Sequence, residues 1–144
     1  MHFPMFFDLT DRKVLVVGCG NIALRRISVL LSFGAKVTVV APQMKEQPAG
    51  AVYIQRGYEE KDLTGCFFCV AATDDRRVNH QVYLDAKARG IPASIADCLE
   101  ECSFFFPAIC RGEDLVAGVV SDGTHHHKTA RAARAIREAL EEIK

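Results

Sequence analysis

Between Lys13 and Val40 the chain reads KVLVVGCGNIALRRISVLLSFGAKVTVV. A short Val-rich run is followed by glycine at 18 and 20. Ile22, Ala23, Ile27, Leu30 and Leu31 then recur at helical spacing, Gly34 follows, and a second Val-rich run closes the stretch. Runs apolar on consecutive positions read as strands buried on both faces. A helix between two such strands makes them parallel neighbours. The spacing predicts a strand over 13–17, a helix over 21–33 with Gly34 at its C-terminal cap, and a strand over 36–40.

The alternation continues. Strands are predicted over 52–55, 66–73 and 91–95, and a helix over 75–89 ended by Gly90. This is the pattern of a Rossmann-like α/β parallel sheet with right-handed crossovers. After about Ser103 the pattern changes. FFFPAICRGEDLVAGVVSDG predicts two strands joined around the polar turn Arg111-Gly112-Glu113-Asp114, and TARAARAIREALEEI predicts a helix over 129–143. The organisation read from the sequence is therefore residues 1–104 as the Rossmann-like domain and 105–144 as a hairpin-plus-helix region.

A formal net charge of zero over 144 residues gives no reason to expect nucleic acid or an anionic membrane as partner. No apolar run is long enough to cross a bilayer. The N-terminus lacks a cationic start and a small-residue cleavage site, so no signal peptide is expected. A cytoplasmic location is expected, with the six cysteines as thiols.

The glycine loop has a chemical reading. Gly18 permits a tight turn, Gly20 lets backbone N–H groups approach a pyrophosphate, and Ala23 allows close helix–sheet packing. An acidic residue that would hold a ribose is missing, because the second strand ends Val39-Val40-Ala41-Pro42-Gln43 and Glu46 comes late. The residues alone leave NAD and NADP both open.

Several segments taken together, FPMFFDLTDRKVLVVGCGNIALRR, VTVVAPQ, VAATDDRRVN, SIAD and CSFFFPAI, resemble in that order the precorrin-2 dehydrogenase domain of sirohaem synthases, from about Phe3 to Gly123. The resemblance implies an NAD-dependent oxidation of precorrin-2 to sirohydrochlorin. It also implies a homodimer formed through the region after residue 104. Some members insert ferrous iron as well, which would add Fe(II) or Co(II) chelation. By the same resemblance Gly18, Gly20, Asn21 and Ile22 fall on the pyrophosphate loop, and Pro42 and Gln43 on the adenosine side. Thr73, Asp74 and Asn79 fall beside the nicotinamide. Asp97 falls on the general base, and Ser121 on the loop before the last helix, at the substrate. The chain departs from the family pattern at Ser94, at Val120 and in having no Ser-Pro after Gly123.

The remaining polar residues carry two readings each. Asp97 follows a strand end, where a carboxylate can accept a proton; otherwise it is a surface acid. Asp74 and Asp75 suit the start of a helix. Cys66 and Cys69 read as packing residues on opposite faces of one strand, Cys19 as packing inside the glycine loop, and Cys98 and Cys102 as neighbours of Asp97. His125, His126 and His127 are either a polar helix start or a metal site, since neutral imidazole binds Fe(II) or Co(II). Arg131, Arg134 and Arg137 recur every three residues. They form either a solvated face paired with Glu138, Glu141 and Glu142 or a surface that recognises substrate carboxylates. A rival function is a nucleotide-binding regulatory module without catalysis. It accounts for the glycine loop but not for CSFFFPAI or Asp97.

Overall fold

The computed structural model describes residues 2–123 and 125–143. Two compact units are present, one of residues 7–104 and the other of residues 1–6 together with 105–144.

The larger unit is a five-stranded parallel sheet in the order β3-β2-β1-β4-β5, built from β1 Lys13–Val17, β2 Lys36–Val40, β3 Val52–Ile54, β4 Phe68–Ala71 and β5 Ala93–Ile95. Helices α1 Asn21–Ser32 and α2 Arg76–Ala88 connect β1 to β2 and β4 to β5. β1 is the central strand, with Val14, Leu15 and Val16 wholly buried. Leu15 and Val17 join Val40, Cys69, Ala71 and Ile95 in a core packed on Val82 and Ala86 of α2. Val14 and Val16 alternate to the other face. α1 buries Ala23, Ile27 and Leu30, one position per turn on one stripe.

Both helices end in the same way. After α1 the Gly34 N–H donates to Leu31 O and the Ala35 N–H to Leu30 O. After α2 the Gly90 N–H donates to Lys87 O and the Ile91 N–H to Ala86 O. This paired closure satisfies the last carbonyls and turns the chain straight into a strand. It also corrects the predicted start of β5, because Ile91 belongs to the helix end. The predicted strand over 66–73 is cut to Phe68–Ala71. Cys66 lies in the turn before it, donating its thiol to Asp62 O at 3.4 Å, so Cys66 and Cys69 do not share a strand. Burial pushes the Cys69 thiol up to about 12.

The smaller unit holds the antiparallel hairpin β6 Ala108–Arg111 and β7 Val116–Val119 with α3 His126–Glu142. α3 starts three residues before the predicted Thr129. Its first turn is exposed and polar, so nothing in its packing opposes helix there. Ala133 is its buried residue, and the Cys110 thiol donates to Ala133 O at 3.2 Å.

A 3-10 turn at Glu60–Leu63 is pinned by Asp62, whose side chain is 6% exposed. It accepts from Arg56 Nη1 at 2.9 Å, Arg56 Nη2 at 2.7 Å and the Glu59 N–H at 2.9 Å. The Arg56 fork holds its carboxyl below 3.8 against the opposing push of burial. A depressed carboxylate contributes stability that is complete above the unfolded value and lost as pH falls through the folded one. The wild type therefore loses stability as pH falls below about 3.8 more steeply than Asp62→Asn, as denaturant midpoints measured between pH 2 and 6 will show.

Candidate functional site

All five strands are parallel, so the loops after β1, β2, β4 and β5 gather on one rim of the sheet. The strand order reverses at β1, between β2 and β4, and ligands of open α/β sheets bind in the crevice outside such a point. The glycine loop lies there. Gly18 has φ +111°, and a Cβ on it would lie 2.4 Å from Ala72 O. Its N–H donates to Val40 O at 2.9 Å, while the Ala72 N–H donates to Val17 O at 2.8 Å. The ends of β1, β2 and β4 are thereby stitched together.

Gly20 differs from Gly18. It is the N-cap of α1 with φ −82°, and a Cβ there would meet nothing within 4 Å. The space in front of the helix is open. Among the described residues no side chain caps the helix, and no acid occupies its first turn. Asn21 and Ile22 are exposed and Ala23 is fully buried against the sheet. Uncapped N–H groups, the positive end of the helix dipole and a cradle that a side chain would fill are what a pyrophosphate requires. Gly18, Gly20, Asn21 and Ile22 thus fit a dinucleotide.

Pro42 and Gln43 are exposed on the loop after β2. That loop returns over the glycine loop, where the Cys19 thiol donates to the Glu46 carbonyl at 3.3 Å. Burial raises the Cys19 thiol above its usual range despite this bond, so the residue is a packed thiol, 5% exposed.

Thr73 and Asp74 lie on the rim just past β4. Asn79 does not reach it. Its fully buried amide accepts the Thr73 N–H at 3.1 Å and the Thr73 hydroxyl at 2.7 Å, and donates to Thr73 O at 3.1 Å. It latches the loop from beneath. Asp75 caps α2, accepting the Arg77 N–H at 2.9 Å, whereas Asp74 is exposed.

Asp97 stands two residues past β5. Arg76 Nη1 donates to its Oδ1 at 2.6 Å, and Arg76 Nη2 donates to Glu101 Oε2. Glu101 Oε1 in turn lies 2.6 Å from His80 Nδ1. Burial pushes the Glu101 carboxyl up, but its bonds to Arg76 and His80 hold it below the usual range. Arg76, His80 and Glu101 escape a reading of the sequence. The available signal was the i, i+4 spacing of Arg76 and His80 on one face of a helix.

The other candidates belong to the smaller unit. Ser121 Oγ accepts the Gly123 N–H at 3.3 Å. His125 stands at the N-cap position of α3 without a side-chain capping bond, and His126 and His127 occupy its first turn. Successive helical residues diverge by about 100°. Among the described residues no three His, Cys, Asp or Glu side chains are grouped to hold a metal ion. Arg134 lies 3.8 Å from Glu138, and Arg137 donates to Ile109 O at 3.0 Å, which ties α3 to β6. Arg131 is exposed.

Comparison with known proteins agrees with this geometry. A family model described as putative NAD(P)-binding matches residues 5–108. The probable multifunctional siroheme biosynthesis protein HemA of Ruminiclostridium josui is 47% identical over 95% of this chain and 28% of its own length. The siroheme synthase of Pseudomonas fluorescens strain SBW25 is 43% identical over 96% of this chain and 30% of its own. This chain therefore spans under a third of those relatives. The solved structure of SirC, precorrin-2 dehydrogenase, superposes with a TM-score of 0.78 at 29% identity, over 96% of this chain and 71% of that one. The sheet and its glycine loop define a Rossmann-like dinucleotide-binding protein. The chain belongs to the putative NAD(P)-binding family whose model it matches.

The two glycines predict opposite outcomes. Gly18→Ala combines a left-handed φ with a backbone clash and costs about 2 kcal/mol or more in urea unfolding. Gly20→Ala costs about 1 kcal/mol or less, a lost N-cap preference, yet weakens NAD binding about tenfold or more by calorimetry.

Proposed function

We propose that the chain is an NAD-dependent precorrin-2 dehydrogenase that forms sirohydrochlorin in sirohaem biosynthesis. The observation that carries this is the shared rim: an open, uncapped cradle at α1 and a fixed carboxylate, Asp97, past β5. The likeness to SirC, precorrin-2 dehydrogenase, over nearly the whole chain supports the choice of substrate. In the oxidation two C–H bonds of precorrin-2 would break: bound oxidised NAD would supply the hydride acceptor for one, and the other would give up its proton to a base while its electron pair stays to form the new double bond.

Gly18 and Gly20 open the cradle and the N–H groups of the first turn of α1 hold the pyrophosphate. Pro42 and Gln43 flank the adenosine, and the Thr73–Asn79 latch sets the loop that Asp74 tips. Asp97 accepts the proton. Ser121, Arg131 and Arg134 take part in substrate recognition, the arginines by pairing with its carboxylates. The regulatory-module reading is not favoured, because the relatives are biosynthetic proteins.

The chain works as a homodimer joined through the smaller unit. Two strands and one helix make little core alone. This unit leaves Leu115, Val116 and Val120 each more than 40% exposed, as well as Phe3, Met5 and Phe6. A cytoplasmic site of action belongs to the same proposal, supported by six cysteines that are all free.

The test is anaerobic spectroscopy with enzymatically made precorrin-2 and NAD, following NADH and sirohydrochlorin together. The wild type forms both in equal amounts; NAD binding without sirohydrochlorin would end the catalytic reading. Asp97→Ala keeps NAD affinity and loses about 100-fold in turnover, the contribution of a positioned base. Replacing His125, His126 and His127 by Ala leaves this oxidation intact, and a matching loss would place them at the substrate. Light scattering gives a dimer mass for the wild type and a monomer mass for Val116→Glu. A monomeric wild type would remove the dimer from the proposal.

A further inference from the structure

The cluster around Arg76 lies beside the proposed proton acceptor, between the start of α2 and the segment after β5. Arg76 sits in the first turn of α2 with its guanidinium forked between two carboxylates of the segment after β5. The two arms are unequal. The Glu101 side chain is 13% exposed and held from both sides, by Arg76 Nη2 on Oε2 and by His80 Nδ1 on Oε1. His80 is one turn further along α2, with Nδ1 3.4 Å from Arg76 Nη2. That arm anchors the plane of the guanidinium. The other arm reaches Asp97, whose side chain is 36% exposed, through Oδ1 alone. Among the described residues Asp97 Oδ2 makes no hydrogen bond.

We propose that Arg76 is a positioning residue for the oxidation: anchored by Glu101 and His80, it fixes the Asp97 carboxylate through Oδ1 and leaves Oδ2 free to take the proton. This rests on the reading of Asp97 as proton acceptor. The physical case is one of freedom removed. A partly exposed aspartate past a strand end samples several rotamers, and an isolated surface ion pair holds it only weakly. A guanidinium anchored on its other side is already ordered, so the contact with Asp97 costs little further entropy. A base held in one arrangement meets the substrate ready to react, and a misplacement of about 1 Å costs on the order of 100-fold in rate.

The experiment uses the full chain with precorrin-2 and NAD under anaerobic conditions. It compares wild type, Arg76→Gln, Arg76→Lys, Asp97→Ala and the Arg76→Gln/Asp97→Ala double variant. Arg76→Gln should lower kcat by about 10- to 100-fold, with KM for precorrin-2 and Kd for NAD within about twofold of wild type. Arg76→Lys should recover part of the loss, since it keeps the charge but not the fork. In the Asp97→Ala background Arg76→Gln should lower kcat no further, because the two residues act as one unit. An unchanged kcat in Arg76→Gln, or a full additional loss in the double variant, overturns the inference while Asp97 keeps its role. Wild-type turnover in Asp97→Ala overturns it differently, by removing the reading on which it rests, and the single variant alone reveals this.

Discussion

The close approach of Gly18 to the carbonyl of Ala72 is the constraint on which the site depends. A Cβ at position 18 would lie 2.4 Å from that oxygen, so the loops after β1 and β4 come together only without one. The Gly18 N–H reaches sideways to β2 and the Ala72 N–H reaches sideways to β1. Three strand ends are thus locked at the point where the strand order reverses. Both helices inherit the placement. On one side α1 starts at Asn21, directly after Gly20, and on the other the chain turns at Thr73 into α2. The turn is held by one buried amide. Asn79 offers an acceptor and a donor at once and meets both the N–H and the carbonyl of Thr73, which no carboxylate of the same shape could do.

Where hydrophobic period and glycine position coincide, the chain declares its own structure. β1 and β2 lie at the predicted residues, and Gly34 and Gly90 mark the two helix ends. The apolar run Cys66–Thr73 does not, because apolar character alone cannot separate a strand from a packed approach to one. Phe67 is apolar for another reason: it packs edge-on against Phe7 with Arg12 over its ring. Cys66 completes the preceding turn, and Thr73 is taken by Asn79. The start of α3 was hidden similarly, since three histidines neither favour a helix nor forbid one.

For the site, residue types were legible and connections were not. The cradle could be read because its chemistry lies in the backbone between residues close in sequence. Asn79 sits in a segment that resembles the cofactor motif, yet its polar atoms are spent on holding Thr73. The cluster at Asp97 joins residues 21 and 25 positions apart, which no local pattern reveals.

Arg76 and Arg77 occupy the first turn of α2, where the helix dipole disfavours a cation. α1, by contrast, keeps its first turn free of side-chain caps and acids alike. Arg77 is accounted for locally, because it pairs with the capping Asp75 at 3.1 Å. Arg76 finds its charged partners off its own helix, because both carboxylates come from the segment after β5 and the ring nitrogen of His80 that lies near it is turned to Glu101. A residue that works against its own helix is placed for something beyond it, and such conflicts between local preference and position gather at functional sites. The pairing is uneven in charge: Arg77 matches Asp75, but Arg76 alone stands between Asp97 and Glu101, so the carboxylates of that segment outnumber the guanidinium that holds them.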